Sequence, residues 1–203
     1  MSERVPAFIT ARRSIRSFTA EPVGRALLDT LIEAACLAPA PHHSRPWRFA
    51  VVDTDPARQA LATGMGDRWR HDLTGDGVPV ERIDAIVGAS HARIIGAPAV
   101  VLGCLTADGL HDYPDEVRQR AEEGMALLSL GAAVENLMLA ATAHGLASCW
   151  VAAPIFCPIE ARDAVALPHD WRPQAMVLLG RPDPQYTGRL RPPVPLGDLR
   201  RFA

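Results

Sequence analysis

Arg12-Arg13-Ser14-Ile15-Arg16 places three guanidiniums and a hydroxyl within five residues. Each guanidinium can donate two parallel hydrogen bonds to phosphate oxygens, so a turn of this composition suits a phosphate monoester. The same residues also suit a solvated basic helix end paired with Glu21 or Asp29. A second segment, residues 40–49, reads Ala-Pro-His-His-Ser-Arg-Pro-Trp-Arg-Phe and leads into an apolar run. It is either a plain Pro-rich connection or a loop whose backbone reaches a planar heterocycle. A third, residues 67–72, interleaves Trp69 with Arg68, Arg70, Asp67 and Asp72. Either it is an amphipathic surface helix anchored by Trp69, or it covers a site, with Trp69 or Arg70 stacking on a ring and Asp72 accepting hydrogen bonds.

Other chemistries are excluded by what the chain lacks. It has no lysine, all 21 basic residues being arginine. Schiff-base catalysis and a P-loop Gly-Lys-Ser/Thr are thereby ruled out. Gly64-Met65-Gly66 has no third glycine, so there is no dinucleotide fingerprint and phosphate binding must rest on side chains. Ser148-Cys149 lacks a nucleophile elbow and sits in an apolar run, which marks it as packing. His42 and His43 are adjacent and point apart, and no other histidine has ligand spacing, so no metal site is expected. Cys36, Cys104, Cys149 and Cys157 form no Cys-x-x-Cys pair and suit a reducing compartment.

The elements that must position these residues are read from periodicity. Helices are expected over 5–13, 23–38, 56–73, 81–95, 115–144 and 159–165, and strands over 47–52, 99–105, 146–152 and 175–180. Residues 75–77 read as a turn, and Gly145 as a helix stop. The 115–144 helix is rich in small residues and, at about 1.5 Å per residue, would span roughly 45 Å, long enough to act as the spine of a homodimer. From Arg181 onward the chain turns to Pro, Gly and Arg, an arm expected to lie on another surface. The expectation is a single domain over 1–203, of the α+β class, with a central mixed or antiparallel sheet of about five strands flanked by helices and an extended C-terminal arm. With a net charge of −2 and a pI near 6.4, nothing favours nucleic acid or an anionic membrane. No apolar run of about 18 residues stands out, and a cytoplasmic location is expected.

The order Arg-Arg-Ser-x-Arg-x-Phe, then Ala-Pro and Arg-Pro-Trp-Arg-Phe, then the long alanine-rich helix and Gly-Leu-x-Ser-Cys-Trp resembles the nitroreductase family of FMN enzymes over nearly the whole chain. Within it the chain looks most like the FMN-dependent reductase domain that coenzyme F420 biosynthesis fuses to a γ-glutamyl ligase. Residues 38–43, Trp69-Arg70-x-Asp72-Leu73 with Gly75-Asp76-Gly77, Asp108-Gly109-x-His111-x-Tyr113-Pro114 and 191–195 carry that likeness. Where ordinary members have Ser-x-x-Asn-x-Gln-Pro-Trp, this chain has His42-His43-Ser44-Arg45-Pro46-Trp47. The resemblance implies that Arg12, Arg13, Ser14, Ile15 and Arg16 hold the FMN phosphate and ribityl chain. It implies further that Ala40 borders the flavin, that Val151 and Ala152 lie along the ring, and that Arg191 adds a phosphate contact. Asp72, Trp69 and Arg70 would meet the second ligand, coenzyme F420 or its dehydro precursor. The implied reaction is reduction of dehydro-F420-0, with glutamate addition left to a separate ligase. The rivals are a nitro or quinone reductase, a flavin-fragmenting dimethylbenzimidazole-synthase type, and a non-catalytic FMN or F420 binder.

Overall fold

The computed structural model describes residues 5–186, 192 and 194–202. The chain runs α1 (Ala7–Ala11), α2 (Arg25–Cys36), β1 (Trp47–Val52), α3 (Asp55–Gly75), α4 (Val80–Ile95), β2 (Ala99–Leu105), α5 (Glu116–Ala143), β3 (Ala147–Val151), α6 (Pro158–Ala164), β4 (Arg172–Gly180) and α7 (Leu196–Leu199). Short 3-10 turns at Pro41–His43 and Ala153–Ile155 were not foreseen.

One antiparallel sheet has the order β1-β2-β4-β3. It has four strands where about five were expected. A fifth is only hinted at: Ser14 makes an isolated parallel bridge to Ser148 on the outer edge of β3, and Ile15 N–H donates to the Ser148 carbonyl at 3.0 Å. Among the described residues this bridge and the Phe18–Pro182 bridge stay isolated, and no continuous ladder follows.

Helices cover both faces of the sheet, and this is why β2 and β4 are almost wholly buried, unlike half-exposed antiparallel strands. Val101, Val177 and Leu179 pack under α2 and α5, alongside Leu31, Leu130 and Leu137. Val100, Leu102, Met176, Leu178 and Cys149 point the other way, against Leu61 and Met65 of α3, Ile94 of α4 and Ala161 of α6. A bulge at Gly103/Cys104 keeps this alternation in step, and a Cβ at Gly103 would come within 3.2 Å of Leu130.

Helix α5 carries Asp115 as its N-cap, accepting from Arg118 N–H at 3.0 Å, and Gly145 follows at φ +73°. One 18-residue window of α5 has mean hydropathy 1.5, long and apolar enough to cross a membrane, contrary to the sequence expectation. Nine of its residues are buried against the sheet and α2, the packing of a core helix. Its outer side leaves Leu127 and Leu128 exposed. The arm exposes Leu196, Leu199 and Phe202, as expected of a segment with few local partners; its start pairs with the 17–19 segment through Thr19 N–H to Arg181 O and Asp183 N–H to Ser17 O.

Candidate active site

The edge strand β3 organises the site. Because the Ser148 carbonyl points outward to Ile15, the N–H and C=O of Trp150, two residues on, face the same edge. Ser148 itself is buried, and its hydroxyl has no hydrogen-bond partner among the described residues. Trp150 lies toward α5, where a Cβ on Gly131 would sit 3.8 Å from its ring.

Along this edge the arginine turn divides its labour. Arg12 pairs with Glu135 of α5 at 3.1 Å, replacing the Glu21 or Asp29 partner considered from sequence; Glu21 instead meets Arg181 at 2.7 Å. Arg13 is half-buried and donates to the Thr10 and Arg12 carbonyls at 2.8 and 3.2 Å, which satisfies acceptors at the end of α1. Arg16 is exposed, with a long 3.4 Å contact to the Ser14 carbonyl, and the Ser14 hydroxyl is exposed beside it. Arg16 also reaches Cys149 electrostatically: burial raises that thiol's pKa, and Arg16 and Arg93 pull it down.

Past the end of β3 the strand opens onto a cavity of about 480 Å³ between α3, α4 and the β3–α6 connection. Ala62, Met65, Ile94, Ala153 and Phe156 make it apolar, and Trp69 and Ala152 line it with them. Arg68, Asp72, Asp76 and His91 form the polar part. Cys157 lies on the wall as a thiol pushed up to about 11 by burial, too weakly ionised to act as a nucleophile.

The structure thus brings Trp69, Asp72 and Ala152 to one cavity, with Val151 one residue before it and residues 12–16 beside the same strand. Arg70 is not among them. It reaches across to Asp84 of α4 at 2.6 Å, because its place on α3 faces that helix. Arg68 is engaged as well: its Nε bonds both Asp72 oxygens at 2.9 and 3.1 Å, and its Nη1 bonds Glu160 at 3.2 Å. Ala40 lines a separate cavity of about 420 Å³ with Met125, Leu128 and Ala132 of α5. Arg191 lies outside the described residues. His91 and Glu160 escaped the sequence reading, and Asp76 entered it only as part of the 75–77 turn, although its place one helical turn after Asp72 was a spacing signal.

The 41–45 loop is held in strain. His42, His43 and Arg45 have φ of 55°, 54° and 48°, a conformation rare for residues with a Cβ. The 106–113 segment clamps it: His42 stacks on His111 with centroids 4.6 Å apart, Arg48 pairs with Asp108 at 2.5 Å, and Gly109 lies against Ser44. The stretch that departs from the ordinary pattern and the 108–113 stretch that carries the finer likeness are therefore in contact. Beneath them Glu122 is buried and accepts from His111 N–H at 3.1 Å.

An arginine-and-serine turn beside a ring-sized cavity, both on one edge strand, is the layout of a flavin oxidoreductase. The chain belongs to the nitroreductase family, whose model matches residues 9–181. It is 28% identical over 176 residues to the 5,6-dimethylbenzimidazole synthase of Rhodospirillum rubrum, spanning 86% of this chain and 80% of that protein. Its fold superposes on a BluB-like flavoprotein from Clostridium difficile 630 with TM-score 0.78 and 20% identity, over 97% of each chain. The FMN-dependent nitroreductase NfnB from Mycobacterium smegmatis, solved with NADPH, gives TM-score 0.71 and 23% identity over 97% of this chain and 96% of its own.

The residues present fit an FMN. The exposed Ser14 hydroxyl and Arg16 guanidinium are donors suited to its phosphate. The outward backbone of Trp150, the unpartnered Ser148 hydroxyl and the small Ala152 leave polar groups and room along the strand.

Proposed function

We propose that this chain is an FMN-dependent oxidoreductase that reduces the double bond of dehydro-F420-0 to give F420-0. The observation that carries the reading is the cavity holding Trp69, Asp72 and Ala152 at the end of the strand that the arginine turn flanks. Reduced FMN, when bound, supplies a hydride. The chain's own part is binding and positioning. Ser14 and Arg16 serve the phosphate end, Arg12, Arg13 and Ile15 hold the turn that presents them, and Val151 and Ala152 border the ring. Trp69 offers a stacking face to the acceptor, and Asp72, fixed by Arg68, accepts from its hydroxyl or N–H groups. The apolar wall from Met65 to Phe156 excludes water.

The assembly is read as a homodimer of single-domain subunits. Ala40 lines a cavity against α5 apart from the one that holds Trp69 and Asp72, and α5 exposes Leu127 and Leu128 where a second copy would pack. The test of function is anaerobic turnover of dehydro-F420-0 by the FMN-loaded protein, following loss of the double bond by mass spectrometry. No product, with bound F420 unchanged, leaves only a binder.

A second reading has its own support. The relationship to a dimethylbenzimidazole synthase over most of both chains favours oxygen-dependent fragmentation of reduced flavin. Product analysis after mixing reduced FMN, protein and oxygen separates the two: 5,6-dimethylbenzimidazole among the products supports the second.

A further inference from the structure

The charges around the main cavity are unbalanced. Arg68 is the one arginine among the described residues lining it, and it is engaged by two carboxylates, Asp72 on the lining and Glu160 of α6; His91, the other basic group there, is in contact with Gln59 at 2.8 Å. Asp76 adds a second carboxylate to the lining, exposed and with no ion-pair partner among the described residues. The other arginine of the segment, Arg70, is neutralised by Asp84. One guanidinium against two carboxylates on the lining, with Glu160 beside it, leaves negative charge in excess.

The helix axis adds to this. Asp72 and Asp76 lie at the C-terminal end of α3, a helix of 21 residues, where the carbonyls point outward and the dipole is negative. The opposing start of α6 is short, and its own Glu160 already faces that way. Asp72 and Glu160 are partly buried and screened less than charges on open surface, while Asp76 is exposed.

We infer that the cavity selects against negative charge: it takes a planar ligand that presents hydrogen-bond donors and carries no anionic group on its buried part. Asp76 is the specificity-determining residue, acting with Asp72 and Glu160. This rests on the reading that the electron acceptor occupies this cavity, and it deepens that reading. A deazaflavin would enter by its ring, N–H and hydroxyl donors toward Asp72 and Asp76, and leave its phosphate outside the cavity. An acceptor with a carboxylate on its ring would be refused.

The test uses one ring in three charge states: 2-naphthamidine, 2-naphthamide and 2-naphthoate, titrated by calorimetry into the FMN-loaded protein. The amide and the amidine should bind at least about tenfold more tightly than the carboxylate, the ratio expected for a like charge in a partly desolvated site. Asp76→Asn should narrow the ratio by tightening naphthoate several-fold. Glu160→Gln, which releases Arg68, should do the same. Naphthoate binding as tightly as naphthamide, or a ratio that neither variant moves, overturns the charge selection and leaves the cavity as the acceptor site. Binding of none of the three overturns the reading of the cavity, and the inference with it.

Discussion

Arg16→Ala separates cofactor binding from folding. Arg16 is exposed, and its one hydrogen bond, to the Ser14 carbonyl, is 3.4 Å long. Removing it should change apoprotein stability by no more than about 0.5 kcal/mol. If it donates a charge-assisted bond to the FMN phosphate, its loss costs about 1.5–3 kcal/mol of binding. At about 1.4 kcal/mol per decade that is a weakening of roughly ten- to a hundredfold. Arg13→Ala is the contrasting variant, because Arg13 holds the Thr10 and Arg12 carbonyls and its loss should lower apoprotein stability by about 1 kcal/mol. The assay is flavin fluorescence during titration of apoprotein with FMN, paired with thermal melts of both apoproteins. Unchanged FMN affinity in Arg16→Ala refutes the phosphate assignment. An apoprotein melt that falls as far as that of Arg13→Ala refutes the claim that the exposed guanidinium is free for a ligand.

Asp72→Ala should weaken coenzyme F420 binding by about 1–3 kcal/mol in calorimetry while FMN stays bound; wild-type affinity would make the Arg68–Asp72 pair purely structural. Gly109 has φ +73° and an added Cβ would lie 2.9 Å from the Ser44 carbonyl oxygen, so Gly109→Ala should lower stability by about 1–3 kcal/mol in urea unfolding. Leu128→Glu, on a side chain 77% exposed in one chain, should leave the subunit folded and shift sedimentation toward monomer; an unshifted boundary removes α5 from the interface. Burial pushes the Cys104 thiol from 9.0 to about 12, so the unfolded chain ionises first. Its contribution to stability is intact below about pH 9 and is lost as pH rises toward 12, which urea midpoints against pH in a Cys104→Ala comparison will show.

Much of this was legible because the carriers were local. The apolar period of α2, the runs of β2 and β4, and the Asp115 and Gly145 ends of α5 are all written within a few residues. The arginine turn and Trp69–Asp72 were likewise visible as chemistry. What escaped was pairing at a distance. Nothing near Arg70 says that it faces Asp84, nor that Arg68 is shared by Asp72 and a glutamate 92 residues away. The left-handed His42, His43 and Arg45 were hidden for a related reason: ordinary side chains occupy that backbone only because the 106–113 segment holds them there.

The contact between Ser14 and Ser148 also bears on the order in which the molecule forms. It closes a loop of more than a hundred residues, seconded by the Arg12–Glu135 pair and by the 17–19 segment against Arg181 and Asp183, and such closures carry entropy that few local contacts repay early. The strand it leans on must already be seated on β4, which in turn lies beside β2. The arginine turn therefore docks after the sheet, and the phosphate donors come into register late in folding. On heating or dilution into denaturant the same seam opens first. Flavin should leave a chain whose sheet is still whole, and a cell short of FMN would hold this protein as a folded body with one loose N-terminal edge.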